Sequence, residues 1–292
     1  MNPVHRPQYM VTRFAPSPTG RLHVGHAWSA LMAHDAAGDT GGAFHLRVED
    51  IDGARSREEH VNGIVEDLLW LGIGWDGEMV RQSQRLTLYE DALDRLKAMR
   101  LVYPCFCTRA DIAASASAPH GPEGPLYPGT CRHLSEAERE ARMAFTPHAW
   151  RIDMAKAAAI AGPLHWIDDV QGRIAAAPVL AGDVVLARKD APTSYHLAAT
   201  VDDAAMGISF VLRGQDLMAA TDIHRLLQAL LGLPTPLYRH HRLLLGPDGK
   251  RLAKRTHGIT LAELREAGVD PGILVRDLRA GVFPVGISLS EP

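Results

Sequence analysis

Imidazoles and cations gathered around loops give this sequence its chemical character. The first group runs Arg13-Phe14-Ala15-Pro16-Ser17-Pro18-Thr19-Gly20-Arg21-Leu22-His23-Val24-Gly25-His26. A Pro- and Gly-rich loop that opens a helix turns backbone N–H groups and the positive helix end outward, toward an anion. His23 and His26 share one face of the first turn. Gly25 between them keeps a side chain out of the way of an approaching base or phosphate. Donors aimed at developing phosphoryl charge each contribute on the order of 10²–10³ in rate. The second group, Gly246-Pro247-Asp248-Gly249-Lys250-Arg251-Leu252-Ala253-Lys254-Arg255, puts four cations within six positions. A turn of this kind can close over a polyphosphate and neutralise it. A bare pair of histidines reads equally well as two surface side chains, but the preceding loop argues against that reading; the second group alone reads as a solvated basic loop. Together they point to nucleotide chemistry.

The third group is Cys105-Phe106-Cys107 with Tyr127 and Cys131. Three thiols and an oxygen can fill a tetrahedral Zn²⁺ site. Buried free thiols are the other reading, and His120 and His133 compete as fourth ligands by type. With only three cysteines, an odd number, a disulfide framework is not expected.

The elements that must position these groups alternate. Val11–Phe14 reads as a strand, Leu22–Ala37 as a helix, Ala43–Val48 as a strand, and Ser56–Leu71 and Leu86–Met99 as helices. That order predicts an α/β fold with a parallel sheet. From Pro104 to Pro147 the chain is rich in Pro, Gly, Ala and Ser, as an insertion would be. Strands are expected near 150–152, 164–167 and 181–187. From Ser194 the α/β pattern resumes, with a helix at 195–201, a strand at 208–213 and a helix at 220–231. Short helices are expected at 261–267 and 271–280. The expected division is 1–102 and 191–258 as two halves of one domain, 103–190 as an inserted subdomain and 259–292 as a short helical tail.

Composition narrows the class. Lys and Arg total 31 against 34 Asp and Glu, a net charge of −3, with 46% hydrophobic and 22% charged residues. That is folded-domain composition and argues against a sequence-independent nucleic-acid coat. No apolar run reaches the roughly 20 residues that span a bilayer, and the polar start offers no signal peptide. A cytoplasmic location is expected.

His23-Val24-Gly25-His26 and Arg251-Leu252-Ala253-Lys254-Arg255 resemble the HIGH and KMSKS motifs of class I aminoacyl-tRNA synthetases. Residues 13–20, Leu46–Asp52, Gln82–Arg85, Ser194–Ala198 and Val211–Leu217 resemble the glutamyl-tRNA synthetase catalytic domain more narrowly. The second motif departs twice: Arg251 stands where Lys is usual and Ala253 where Ser is usual. The resemblance implies a Rossmann-like catalytic domain with an inserted zinc-binding, acceptor-type subdomain and a short helical C-terminal region. It implies ATP with Mg²⁺ held at His23, Gly25, His26, Arg251 and Lys254, with His23, His26 and Lys254 catalytic. It implies an L-glutamate pocket of Arg13, Phe14, Ala15, Pro16, Ser17, Glu49, Tyr195 and Arg213. There Arg13 can fork onto the side-chain carboxylate, while Ser17 and Glu49 receive the α-ammonium. It further favours one structural zinc on Cys105, Cys107, Tyr127 and Cys131. In this sequence 37 residues follow Arg255, and on that length an anticodon-binding domain with its own core is not expected. The sequence therefore resembles the truncated glutamyl-Q tRNA(Asp) synthetases, which implies transfer of glutamate to queuosine in the tRNA(Asp) anticodon stem-loop. The alternative is a glutamyl-tRNA synthetase fragment charging a tRNA 3′ end.

Overall fold

A computed structural model describes residues 6–113, 120–121, 124–252 and 259–291. Strand β1 (Val11–Phe14) lies parallel to β2 (Ala43–Val48), with Val11 opposite Ala43, and β2 lies parallel to β3 (Val80–Arg81). On the other side of β1 the Ser209 N–H donates to the Val11 carbonyl at 3.0 Å, and Ser209 Oγ accepts from the Val11 N–H at 2.9 Å. Those bonds bring up β9 (Phe210–Gly214), which pairs in parallel with β10 (Leu237–His241). The first strand is thus interior to the layer, which is why Thr12, Arg13 and Phe14 are all buried instead of alternating.

Helix α1 (Val24–Gly38) crosses from β1 to β2 and buries Ala27, Ala30, Ala33 and Ala37 against the sheet. Small side chains let the helix lie close, and Thr12 Oγ1 donates to the Ala33 carbonyl at 2.7 Å. The expected helix start at Leu22 moves to Val24 because His23 takes the capping position. Ser56 sits in a turn closed by its N–H on the Asp52 carbonyl, so α2 runs Glu58–Trp70. A first apolar core joins α1, α2 and the strands through Leu31, Leu46, Leu68 and Phe210. The short C-terminal helices α8 (Leu261–Glu266) and α9 (Pro271–Arg279) dock on it with Leu261 and Leu278.

Between the halves, β4 (Val102–Cys105), β5 (Ala149–Ile152) and β8 (Val185–Ala187) form an antiparallel sheet with β5 in the middle. The hairpin β6–β7 (His165–Asp168 and Gly172–Ala175) does something the sequence pattern did not announce. It leaves that sheet and extends the central one, with Asp168 opposite Tyr238 of β10. After α3 (Leu86–Ala98) come α4 (Glu136–Met143) and α5 (Met154–Ala161). A second apolar core lies under α3, α6 (Tyr195–Ala205) and α7 (Met218–Leu231), centred on Leu96, Leu197 and Leu226.

Charge joins these cores. Arg47 on β2 is fully buried and reaches Asp203 at 2.6 Å and Glu49 at 3.1 Å. Arg13 on β1 donates to the same Asp203 at 2.9 Å. Arg85, Gln82 and Tyr89 all donate to Asp202, at 2.7, 2.8 and 2.8 Å. Three guanidinium groups meet three carboxylates, so the network is neutral, and Arg13 with Arg47 holds the Asp203 carboxyl down at about 2 despite its burial. Replacing Arg47 with Leu leaves the carboxylates in excess inside the protein. Urea unfolding of Arg47→Leu should show a loss of about 3–5 kcal/mol; a loss under 1 kcal/mol would show that the cluster is dispensable.

Candidate active site

The loop after β1 delivers two imidazoles to the start of α1 and uses them as the helix cap. His23 Nδ1 accepts from the Gly25 N–H and His26 Nδ1 accepts from the His23 N–H, both at 3.1 Å. This is a reciprocal capping box built from imidazoles. An Nδ1 that accepts carries no proton, so each neutral ring bears its proton on Nε2. The ring centroids are 3.8 Å apart. The first turn of α1 contains no acidic residue, so nothing there opposes an anion at the helix end. Gly25 has a sharper task than giving a ligand room: a Cβ there would stand 3.0 Å from His23 Cε1.

These rings line a cavity of about 420 Å³ between the ends of β1 and β9. All eight residues that the resemblance implies for glutamate border it, as do His23, Gly25, His26 and Arg251. Arg251 reaches it from the strand-like end of the basic turn, where the Gly246 N–H donates to the Lys250 carbonyl and Arg251 bridges Leu245. Its Nη1 lies 2.6 Å from Asp216 Oδ2. Lys254, with Ala253 and Arg255, lies outside the described residues.

The two pocket arginines differ in kind. Arg13 is committed to Asp203 through Nε and Nη2, at 2.9 and 3.4 Å, so the fork expected for a substrate carboxylate is already engaged by a protein carboxylate. Arg213 is equally buried at 5% exposure, yet its partners are Tyr195 Oη at 3.1 Å, His224 Nδ1 at 3.2 Å, Thr221 Oγ1 at 2.6 Å and His240 Nε2 at 3.3 Å. Among the described residues no carboxylate lies within 4 Å of it. A buried cation with only neutral partners is suited to an anionic partner.

Its neighbours stay neutral for the same reason. Burial and the Arg213 charge hold His224 well below the ordinary histidine value and His196, 3.4 Å from it, down at about 4. The sequence reading missed His224, His240 and Thr221 because they touch a functional arginine without themselves matching a motif. Ser29 and Trp28 were missed too, although Ser29 lies one turn beyond His26, on the same helix face; its Oγ is 3.0 Å from His241 Nε2.

The cysteine group closes as well. The Sγ atoms of Cys105, Cys107 and Cys131 all lie within 4.8 Å of one another, with Cys107 and Cys131 3.6 Å apart. Tetrahedral Zn–S bonds of 2.3 Å put sulfurs about 3.8 Å apart, so this spacing fits zinc. Tyr127 Oη is 3.7 Å from Cys107 Sγ and accepts the Cys131 N–H at 2.8 Å, which turns its oxygen toward the thiols. His133 does not join the cluster, and the His120 side chain lies outside the described residues.

A parallel sheet, an imidazole-capped turn at its first crossover and a charged pocket at its strand ends are the arrangement of a class I α/β ligase domain. The model for the catalytic domain of class I tRNA synthetases (E and Q) matches residues 9–288, and the chain belongs to that family. Glutamyl-Q tRNA(Asp) synthetase of Rhodobacter capsulatus is 47% identical over 277 residues, covering 91% of this chain and 99% of that protein. The protein of the same name from Symbiobacterium thermophilum is 46% identical over 276 residues, covering 91% and 84%. The crystal structure of glutamate-tRNA synthetase from Elizabethkingia anophelis superposes with a TM-score of 0.78 at 27% identity, covering 92% of this chain and 61% of that one. Among the described residues no helix is long and apolar enough to cross a membrane.

Two outcomes follow from the site. A neutral buried His196 favours the folded state fully above the unfolded histidine pKa of 6.5, and that contribution is lost as pH falls toward about 4. Unfolding free energy should therefore drop between pH 7 and pH 4.5 by up to about 3 kcal/mol, and by clearly less in His196→Gln; equal pH slopes would refute the assignment. Gly25→Ala should displace the His23 ring and lower any nucleotide-dependent rate at least tenfold, while thermal melting shifts by only a few degrees.

Proposed function

We propose that this protein activates L-glutamate with ATP and transfers it to the queuosine base at the wobble position of tRNA(Asp). The observation that carries the first half is the shared pocket: the two imidazoles of the helix cap line one cavity with Arg213, which has no carboxylate within 4 Å among the described residues. The second half is supported by the names of the relatives that match this chain over nearly its whole length.

In this reading Arg213 receives the side-chain carboxylate of glutamate, with Arg13 as a second, partly neutralised cation. Glu49 and Ser17 take the α-ammonium, and Tyr195, already bonded to Arg213, closes the wall. An oxygen of the α-carboxylate attacks the α-phosphorus of ATP, and the bond to the β-phosphate bridging oxygen breaks to release pyrophosphate. The Nε2–H groups of His23 and His26 donate to the phosphoryl oxygens as charge develops there. Arg251, together with Lys254, neutralises the departing pyrophosphate. Mg²⁺ bound with ATP adds charge compensation. A queuosine ring hydroxyl then attacks the acyl carbon, its proton leaves, and AMP departs. An anticodon loop suits such a groove because its bases can be splayed out of the stack. Cys105, Cys107, Cys131 and Tyr127 hold one structural zinc that braces β4 and the segment around Cys131.

Charging of a tRNA 3′ end is the second reading, favoured by the likeness to a glutamate-tRNA synthetase structure. Mapping nuclease fragments of tRNA(Asp) loaded with labelled glutamate decides between them. Label in the anticodon fragment is expected, and label at the 3′ end would overturn the proposal. Glutamate-dependent ATP–pyrophosphate exchange without tRNA should fall at least a hundredfold in His26→Ala and in Lys254→Ala; wild-type rates in both would reject the roles. Metal analysis should find one zinc per chain, lost in Cys131→Ser together with a lower melting temperature.

A further inference from the structure

Arg213 is oriented by a counter-charge that never touches it. The guanidinium can only donate, so His240 Nε2, 3.3 Å from Arg213 Nε, is an acceptor. The His240 proton therefore sits on Nδ1, which lies 3.0 Å from Asp168 Oδ2. Thr221 closes the ring: its Oγ1 accepts from Arg213 Nη2 at 2.6 Å and lies 3.0 Å from His240 Nε2, where its own proton can go. Asp168 is fully buried and is further held by the N–H groups of His240, Val170 and Gln171, at 3.2, 2.9 and 3.1 Å. These bonds keep its carboxyl below the usual carboxylate range. A negative charge thus stands one imidazole away from the pocket cation.

The contrast with Arg13 shows what this accomplishes. Asp203 touches Arg13 directly and cancels much of its charge. Asp168 polarises His240, which grips Arg213 through one nitrogen, so the arginine is fixed in place while its charge stays available to the cavity. We propose that Asp168, His240 and Thr221 are positioning residues that give this pocket its preference for a carboxylate over an amide side chain. The inference rests on the reading of Arg213 as the receptor of the glutamate side chain.

The test is ATP–pyrophosphate exchange with L-glutamate and with L-glutamine, in the wild type and in Asp168→Asn, Thr221→Val, His240→Leu and His240→Gln. Thr221→Val keeps the side-chain shape, and His240→Gln can restore an acceptor where Nε2 stood. Asp168→Asn, Thr221→Val and His240→Leu should each raise the KM for glutamate at least tenfold, with the KM for ATP within twofold. Their glutamate-to-glutamine ratio of kcat/KM should fall at least tenfold, and His240→Gln should recover part of it. An unchanged ratio in Thr221→Val and Asp168→Asn, or equal losses for ATP and glutamate, would overturn the inference. Should Asp168→Asn or His240→Leu fail to fold, the Thr221→Val and His240→Gln ratios decide. Absence of glutamate-dependent exchange in the wild type would instead bring down the underlying reading of the pocket.

Discussion

Asp203 holds the molecule's halves in register. One carboxylate, supplied near the end of α6, takes Arg13 from β1 and Arg47 from β2, residues 190 and 156 positions away in sequence. Without it, two buried guanidinium groups on adjacent strands would repel each other across the sheet. With it, the strand ends that carry Arg13 and Glu49 are fixed against the helix that begins at Tyr195. The cavity is the space left between them. Its charge is set by what this cluster leaves over: the network neutralises itself and Arg213 stands outside it.

That division explains how one pocket can hold several cations without collapsing onto its own carboxylates. Arg13 and Arg251 are each held by an acid, Asp203 and Asp216, whereas Arg213 is held by hydroxyl and imidazole groups. Burial next to Arg213 keeps His196 and His224 uncharged, so they support it without competing for an anion. One buried cation ringed by neutral groups is an environment suited to an acidic ligand.

Much of this was legible in the sequence. The alternation of strand and helix located β1, α1, β2 and α3 to within a residue or two, because their apolar periods are long and their breakers are Pro and Gly. Of the residues bordering the cavity, His23, Gly25 and His26 were legible as a glycine and two histidines at fixed spacing after a loop, whereas Arg13, Ser17, Glu49, Tyr195 and Arg213 were legible only through the resemblance to glutamyl-tRNA synthetases. The hairpin at 165–175 was not: its place beside β10 is set by pairing with a strand some 70 residues later, and β10 itself, Leu-Tyr-Arg-His-His, shows no clean alternation. The partners of Arg213 were hidden for a related reason. Thr221, His224 and His240 acquire meaning only when α7 and β10 meet, and nothing local to any of them signals it. Arg13 shows the converse limit, since the sequence names an arginine but not the aspartate, 190 positions on, that its guanidinium meets.

The imidazole cap has one more consequence. His23 and His26 hold the first turn of α1 by accepting backbone protons on Nδ1. A proton added to either nitrogen would set donor against donor, and the turn would lose its closure at the same moment as the rings lost their tautomer. The order of the helix end and the tautomer of both rings thus depend on the same two contacts. Loss of either ring would release the Gly25 or the His23 amide and fray the helix end.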